Sequence, residues 1–237
     1  MDHNKPNEHC LKASDQRGLL RHAERVYDLV WRVDFTSPGF CSIAMPAGVD
    51  SHALRSAMIG LKERLSELSI GRGGKPFVYK SLGRFDQQVT TKFHLDGAPD
   101  QSMLILGYEP SKVRSRVLLA DYSQTAFQMG ITPKDFLRDF NPMYQEGEEL
   151  LRPYATELPP AEDGRSRILL INNSSLPFTE ARTNTLGVMH QAIIVTPDTL
   201  LPRIVNSTML AAEASADVDR QMVAEFIATD EISKKPY

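Results

Sequence analysis

The chain has 237 residues, enough for one substantial core, and its hydrophobic (41%) and charged (24%) fractions are those of an ordinary globular protein. A net charge of −3 argues against a broad polyanion-binding surface, and no apolar run reaches the roughly 18 residues of a membrane span. Cys10 and Cys41 are too few for a disulfide framework or a Cys-rich metal site, and the opening Met1-Asp2-His3-Asn4-Lys5 shows no apolar signal segment, which points to a cytoplasmic protein with reduced thiols.

Residues 1–13 are polar and read as a flexible leader, with 14–237 as a single domain. Over 14–31, Leu19, Ala23, Val26 and Val30 recur at helical spacing and predict one amphipathic helix. Asp50 or Ser51 caps a second helix, whose stripe Leu54, Met58, Leu61, Leu65 and Leu68 ends at Gly71-Arg72-Gly73-Gly74, so that helices fill 14–70. The texture then changes to short apolar or alternating runs at 77–79, 89–96, 103–108, 116–122, 167–172, 186–196 and 203–210. These predict an α+β, mainly β, fold with an antiparallel sandwich or barrel over 77–210. The insert 123–166 breaks the pattern. Thr132 and Pro133 predict the cap and first turn of a helix reaching Phe140, and the remainder, rich in Pro and acid, has the composition of a lid or side wall. Ser215 or Asp217 caps a last helix over 215–228.

The chemistry-bearing residues are few. In an extended segment, side chains at i and i+2 share a face, so His94 and Asp96 project together while Phe93 and Leu95 face the other way. A His-x-Asp alone is usually a surface hydrogen-bonded pair. A third ligand is needed, and His190, inside the buried run from Gly187 to Val195, is the best candidate. Two imidazoles and one carboxylate on one face of an ion suit Fe(II) with positions left open. His3 and His9 lie in the polar leader, and His22 and His52 have no second ligand at helical spacing. Arg203, after Pro202 and before Ile204 and Val205, would carry a guanidinium into an apolar strand, where it needs an anion. Its bland alternative is a strand-end arginine reaching solvent.

The order His94-Leu95-Asp96, His190, Arg203 resembles that of the Fe(II)/2-oxoglutarate-dependent oxygenases over roughly 77–210. The resemblance implies a double-stranded β-helix, or jelly-roll, core with helices packed on one sheet. It implies Fe(II) held by His94, Asp96 and His190, and 2-oxoglutarate as co-substrate with its far carboxylate on Arg203. Ser207, on the same strand face, and Tyr108 are further candidate contacts, and Arg116 and Arg182 are fallback partners. Some subfamilies have Arg-x-Ser at this point, whereas here Arg203-Ile204-Val205-Asn206-Ser207 stands; the aspartate that related halogenases lack is retained. A small-molecule substrate, O2 as oxidant, and release of succinate and CO2 follow, with hydroxylation as the default outcome. Arg84, Gln87, Gly97-Ala98-Pro99 and the segment 172–184 are candidate substrate walls.

Other motifs are weaker. Gly71-Arg72-Gly73-Gly74-Lys75-Pro76 lacks phosphate-loop spacing and follows a helix, no Gly-x-Ser-x-Gly elbow is present, and aromatic and basic residues do not interleave as a nucleic-acid platform requires. Two rivals stay open: a cupin-type metal enzyme that does not use 2-oxoglutarate, and a catalytically silent jelly roll that binds a ligand.

Overall fold

Residues 8–162, 164–177, 185–214 and 220–233 are described in the computed structural model. The strands are β1 (Cys10–Lys12), β2 (Phe40–Ala47), β3 (Phe77–Asp86), β4 (Ser102–Tyr108), β5 (Ser115–Ala120), β6 (Ala155–Glu157), β7 (Arg165–Asn172), β8 (Met189–Ile194) and β9 (Ile204–Ala212). The helices are α1 (Gln16–Arg21), α2 (Ala23–Val30), α3 (Ser51–Gly71), α4 (Tyr122–Gln128), α5 (Pro133–Asp139), α6 (Gln145–Leu151) and α7 (Arg220–Ala228). The architecture is α+β, dominated by a large mixed sheet, β1-β2-β7-β4-β9-β3, and a smaller one, β6-β5-β8. Only the β1–β2 pairing is parallel among the described pairs.

Strand alternation explains the layering. Cys41, Ile43, Met103, Ile105, Ile168, Leu170 and Leu210 point from the large sheet toward α2 and α3 and join Val26, Val30, Leu54, Met58, Leu61 and Leu65 in one core. Their neighbours Leu104, Leu106, Leu169, Ile171, Val205 and Met209 point the other way, into a second apolar layer shared with Val117, Leu119 and Val188 of the smaller sheet and its approach. A third cluster, Phe93, Ala120, Tyr122, Phe136, Leu151 and Met189, packs α4–α6 beside the smaller sheet. Gly107 lies where α3 crosses β4; a Cβ there would collide with Met58 and meet Leu54.

Several expectations are corrected. The helix expected over 14–31 is two, because the chain breaks at His22, whose N–H turns back to Leu19 O while its own carbonyl accepts from Val26. The strand expected over 89–96 forms no regular ladder. Thr91 N–H donates to Ala192 O, but Ala192 N–H and Ile194 N–H donate to the hydroxyls of Thr91 and Thr90 rather than to backbone carbonyls. Only an isolated bridge, His94 with His190, remains. The strand expected over 116–122 stops at Ala120, because Asp121 caps α4 by accepting from Gln124 N–H. Three strands and two insert helices were not anticipated: β1, β2, β6, α4 and α6. In β2 the alternation Cys41, Ile43, Met45 is diluted by Ser42, Ala44 and Pro46, and the register shifts between Ala44 and Ala47, at Pro46, which has no N–H to donate. The expected caps Ser215 and Asp217 lie outside the described residues, and α7 is described from Arg220. Thr132 does cap α5, with Pro133 in its first turn, and Asp50 caps α3. No helix among the described residues is long and apolar enough to cross a membrane.

Two buried ionic groups fasten the layers. Arg32 forks onto Asp121 (2.7 and 2.6 Å) and donates to the carbonyls of Ser37 and Leu186, tying the end of α2 to the β5–α4 junction and to the approach to β8. Arg55, fully buried on α3, donates to the carbonyls of Ile227 and Thr229 and to Ser51 Oγ, beside Glu109, which also accepts from Arg84 and Asn206. Burial pushes the Glu109 carboxyl up, but hydrogen bonds from Ser51, Asn206 and Arg84 outweigh it and leave it below the ordinary value. A depressed folded-state carboxyl stabilises above its unfolded value and loses that contribution as pH falls through the folded one. Glu109→Gln should therefore cost about 2 kcal/mol in urea unfolding at neutral pH. The difference from the natural chain should shrink as pH drops below about 4.3; a difference that is the same at pH 7 and in acid would contradict this account.

Candidate metal centre

His94 and His190 are brought together by the isolated bridge. Each donates its backbone N–H to the other's carbonyl at 3.1 Å, and the two rings stand with centroids 4.2 Å apart. Asp96 follows His94 on the same side, as i and i+2 require. Its Oδ1 lies 3.4 Å from His94 Nε2 and 3.8 Å from His190 Nε2. One potential ligand atom from each of the three residues lies within 4.8 Å of the other two, and this is the one such group of three found among the described residues. Donors about 2.1 Å from a shared ion and at right angles to one another lie roughly 3 Å apart, so the set is convergent and slightly open. These residues could hold a metal ion, and two imidazoles with one carboxylate and no thiolate are the donors of a borderline divalent cation.

Electrostatics favour the ligand forms of His190 and Asp96 and oppose deprotonation of His94. Burial pushes the His190 imidazole down to about 4, against the opposing pull of Asp96, so it is neutral near pH 7. Burial also lowers His94, but hydrogen bonds to Asp96 and to the Lys92 carbonyl outweigh it and leave it above its ordinary value. For Asp96, burial raises the carboxyl and the two histidines more than cancel it, so the group is held low and ionised. His94 Nδ1 lies 2.7 Å from Lys92 O; a carbonyl can only accept, so Nδ1 carries a proton, and Nε2, the nitrogen facing Asp96, is the one that can serve a cation in place of its own proton. His190 has no such anchor: its Nδ1 is buried without a hydrogen-bond partner among the described residues.

The same three side chains line one cavity with Gln87, Thr91, Leu106, Tyr108, Ala192, Val205 and Arg203. Arg203 is 4% exposed. Its Nε donates to Ser115 Oγ (3.0 Å) and its Nη1 to Gln87 O (3.0 Å) and Gln87 Oε1, while its carbon lies 5.1 Å over the Tyr108 ring. No carboxylate lies within 4.0 Å of that guanidinium among the described residues. Burial lowers its pKa and raises that of Tyr108. A buried cation with only neutral partners is costly unless an anion completes it.

The remaining sequence candidates separate. Ser207 is buried two residues beyond Val205 on the same strand face but does not line the cavity. Arg116, a fallback partner, points outward, is half-exposed and forks onto Glu157, so it is not available to this cavity. Arg182 lies outside the described residues, as does 178–184 of the segment proposed as a wall. Arg84 is engaged by Glu109, and Gly97, Ala98 and Pro99 are exposed. Gln87 does line the cavity. Thr91 and Ser115 were not foreseen; isolated hydroxyls carry no periodic signal that sets them apart. No family model and no curated protein matches the chain.

A cation bound to the folded chain alone raises its stability. With free Co(II) at 100 times its Kd the increment is about 2.7 kcal/mol, visible as a higher denaturant midpoint. His190→Ala should abolish that increment. An undiminished increment in the variant would mean that the ion sits elsewhere.

Proposed function

We propose that the chain is a non-haem Fe(II)- and 2-oxoglutarate-dependent oxygenase acting on a small-molecule substrate. The observation that carries this reading is the shared cavity: three convergent metal donors and a buried, carboxylate-free guanidinium line the same space. A ligand that satisfies both must offer oxygen donors to a cation and a carboxylate to an arginine, and 2-oxoglutarate carries both. Bound Fe(II) with 2-oxoglutarate and O2 supplies oxidation of a C–H bond coupled to decarboxylation of the co-substrate to succinate and CO2.

Strand order supports the jelly-roll core. From β3 onward the chain passes to the 90–94 edge beside β8, then to β4, to β5 and β6, to β7, to β8 and to β9. It thereby alternates between two sheets, β3-β9-β4-β7 within the larger and β8-β5-β6 in the smaller. A double-stranded β-helix winds with such an alternation, which supports the jelly-roll reading.

Each protein group then has a physical task. His94, Asp96 and His190 hold the cation, His94 with its tautomer fixed by Lys92 O. Arg203 binds the far carboxylate, a charge-assisted contact made strong by its burial. Gln87 and Ser115 hold that guanidinium in place, and Tyr108 lies beneath it. Leu106, Ala192 and Val205 form the apolar wall that excludes water from the co-substrate's chain.

Anaerobic addition of Fe(II) and 2-oxoglutarate should produce a weak visible charge-transfer band. Arg203→Leu should retain the band at saturation but require 2-oxoglutarate higher by a factor on the order of 100. No band from the intact chain would favour the silent jelly roll. A band whose 2-oxoglutarate dependence ignores Arg203 would remove the co-substrate assignment from this arginine.

A further inference from the structure

The three metal donors are not held alike. The backbones of His94 and His190 are bonded to each other, inside the edge of the smaller sheet. Asp96 lies beyond that bridge, belongs to no strand, and is followed by the exposed residues 97–100. Its backbone is held by one side chain. Asp96 N–H donates to Asn173 Oδ1 (3.0 Å), and Asn173 Nδ2 donates to Asp96 O (2.9 Å). A single carboxamide thus takes both backbone groups of the residue, as a neighbouring strand would.

Asn173 is itself fixed. It is 3% exposed and directly follows β7, in the larger sheet. Its N–H donates to Ser102 O (2.9 Å), its Nδ2 also donates to Ser102 Oγ (3.1 Å), and that hydroxyl donates back to Asn173 O (3.1 Å). The carboxylate is therefore referred to the larger sheet and the two imidazoles to the smaller one, with Asn173 spanning the difference. Only a carboxamide of this length offers an acceptor and a donor at that spacing: aspartate lacks the donor, and glutamine is one methylene too long.

We propose that Asn173 is a positioning residue for divalent-cation binding, setting where Asp96 stands relative to His94 and His190. The inference rests on the metal reading of the three side chains and adds a residue that touches neither ion nor co-substrate.

The test is Mn(II) titration of the metal-free chain, followed by loss of the free-ion electron paramagnetic resonance signal, with thermal unfolding of each metal-free variant measured alongside. Asn173→Ala should weaken Mn(II) binding about 10- to 100-fold. Asn173→Asp preserves size and adds a negative charge near the cation, which by charge alone would tighten binding. Loss of the donor to Asp96 O should instead weaken it, and the opposite signs separate positioning from electrostatics. Asn172→Ala removes an adjacent buried amide bonded to Val30 O and Ser174 N–H; it should lower the unfolding temperature and leave Mn(II) affinity unchanged. Natural-chain affinity in both Asn173 variants would overturn the inference while leaving the metal reading intact. Absence of Mn(II) binding by the natural chain would overturn the metal reading itself.

Discussion

Two backbone hydrogen bonds, from His94 to His190 and back, are the constraint on which the site depends. They cross-link an irregular edge segment to β8 at one point and so fix two imidazoles side by side, although the residues are far apart in the chain. The segment can be irregular because Thr90 and Thr91 supply hydroxyl acceptors to β8 where backbone carbonyls would otherwise serve. That leaves the chain free to turn away directly after Asp96. A regular strand would have carried the aspartate into a ladder and tied its position to strand pleat alone.

The surrounding fold packs against this junction from two sides. The apolar layer between the sheets supplies Leu106 and Val205 to the cavity wall. Arg32, forked onto Asp121 and holding Leu186 O, anchors the approach to β8 from the helical side. Both this arginine and Arg55 have carboxylate partners, at 2.6 and 3.8 Å, and both are structural. Arg203 is buried to the same degree, but its guanidinium hydrogen-bonds only neutral groups while Asp86 accepts from its backbone N–H instead, and this contrast within one molecule is why we assign it a ligand.

What the sequence reveals follows from how each signal is encoded. The α3 stripe was legible because Leu54, Met58, Leu61 and Leu65 repeat at the helical period, and all four are fully buried. His94, Asp96 and His190 were legible because metal chemistry admits few residue types and because i and i+2 share a face; their convergence follows from the tertiary bridge, which no local pattern encodes. Arg203 stood out as a charge in an apolar run. Asn173 was legible only as part of the 172–184 candidate wall, since a carboxamide in a polar stretch reads as solvated connection and its partner, Asp96, lies in a distant segment. The break at His22 went unseen because the apolar spacing across it continues, with Leu19 and Ala23 both buried. Strand β2 was hidden by the small and proline residues within its alternation.

The central claim is that two imidazoles and one carboxylate of this chain share a single ferrous ion. Iron K-edge absorption fine structure on the anaerobically loaded protein reads the ligand set directly. The account predicts two imidazole scattering patterns per iron, with oxygen donors completing the shell and their number unchanged by co-substrate while their arrangement shifts. A spectrum with fewer than two imidazoles would contradict it.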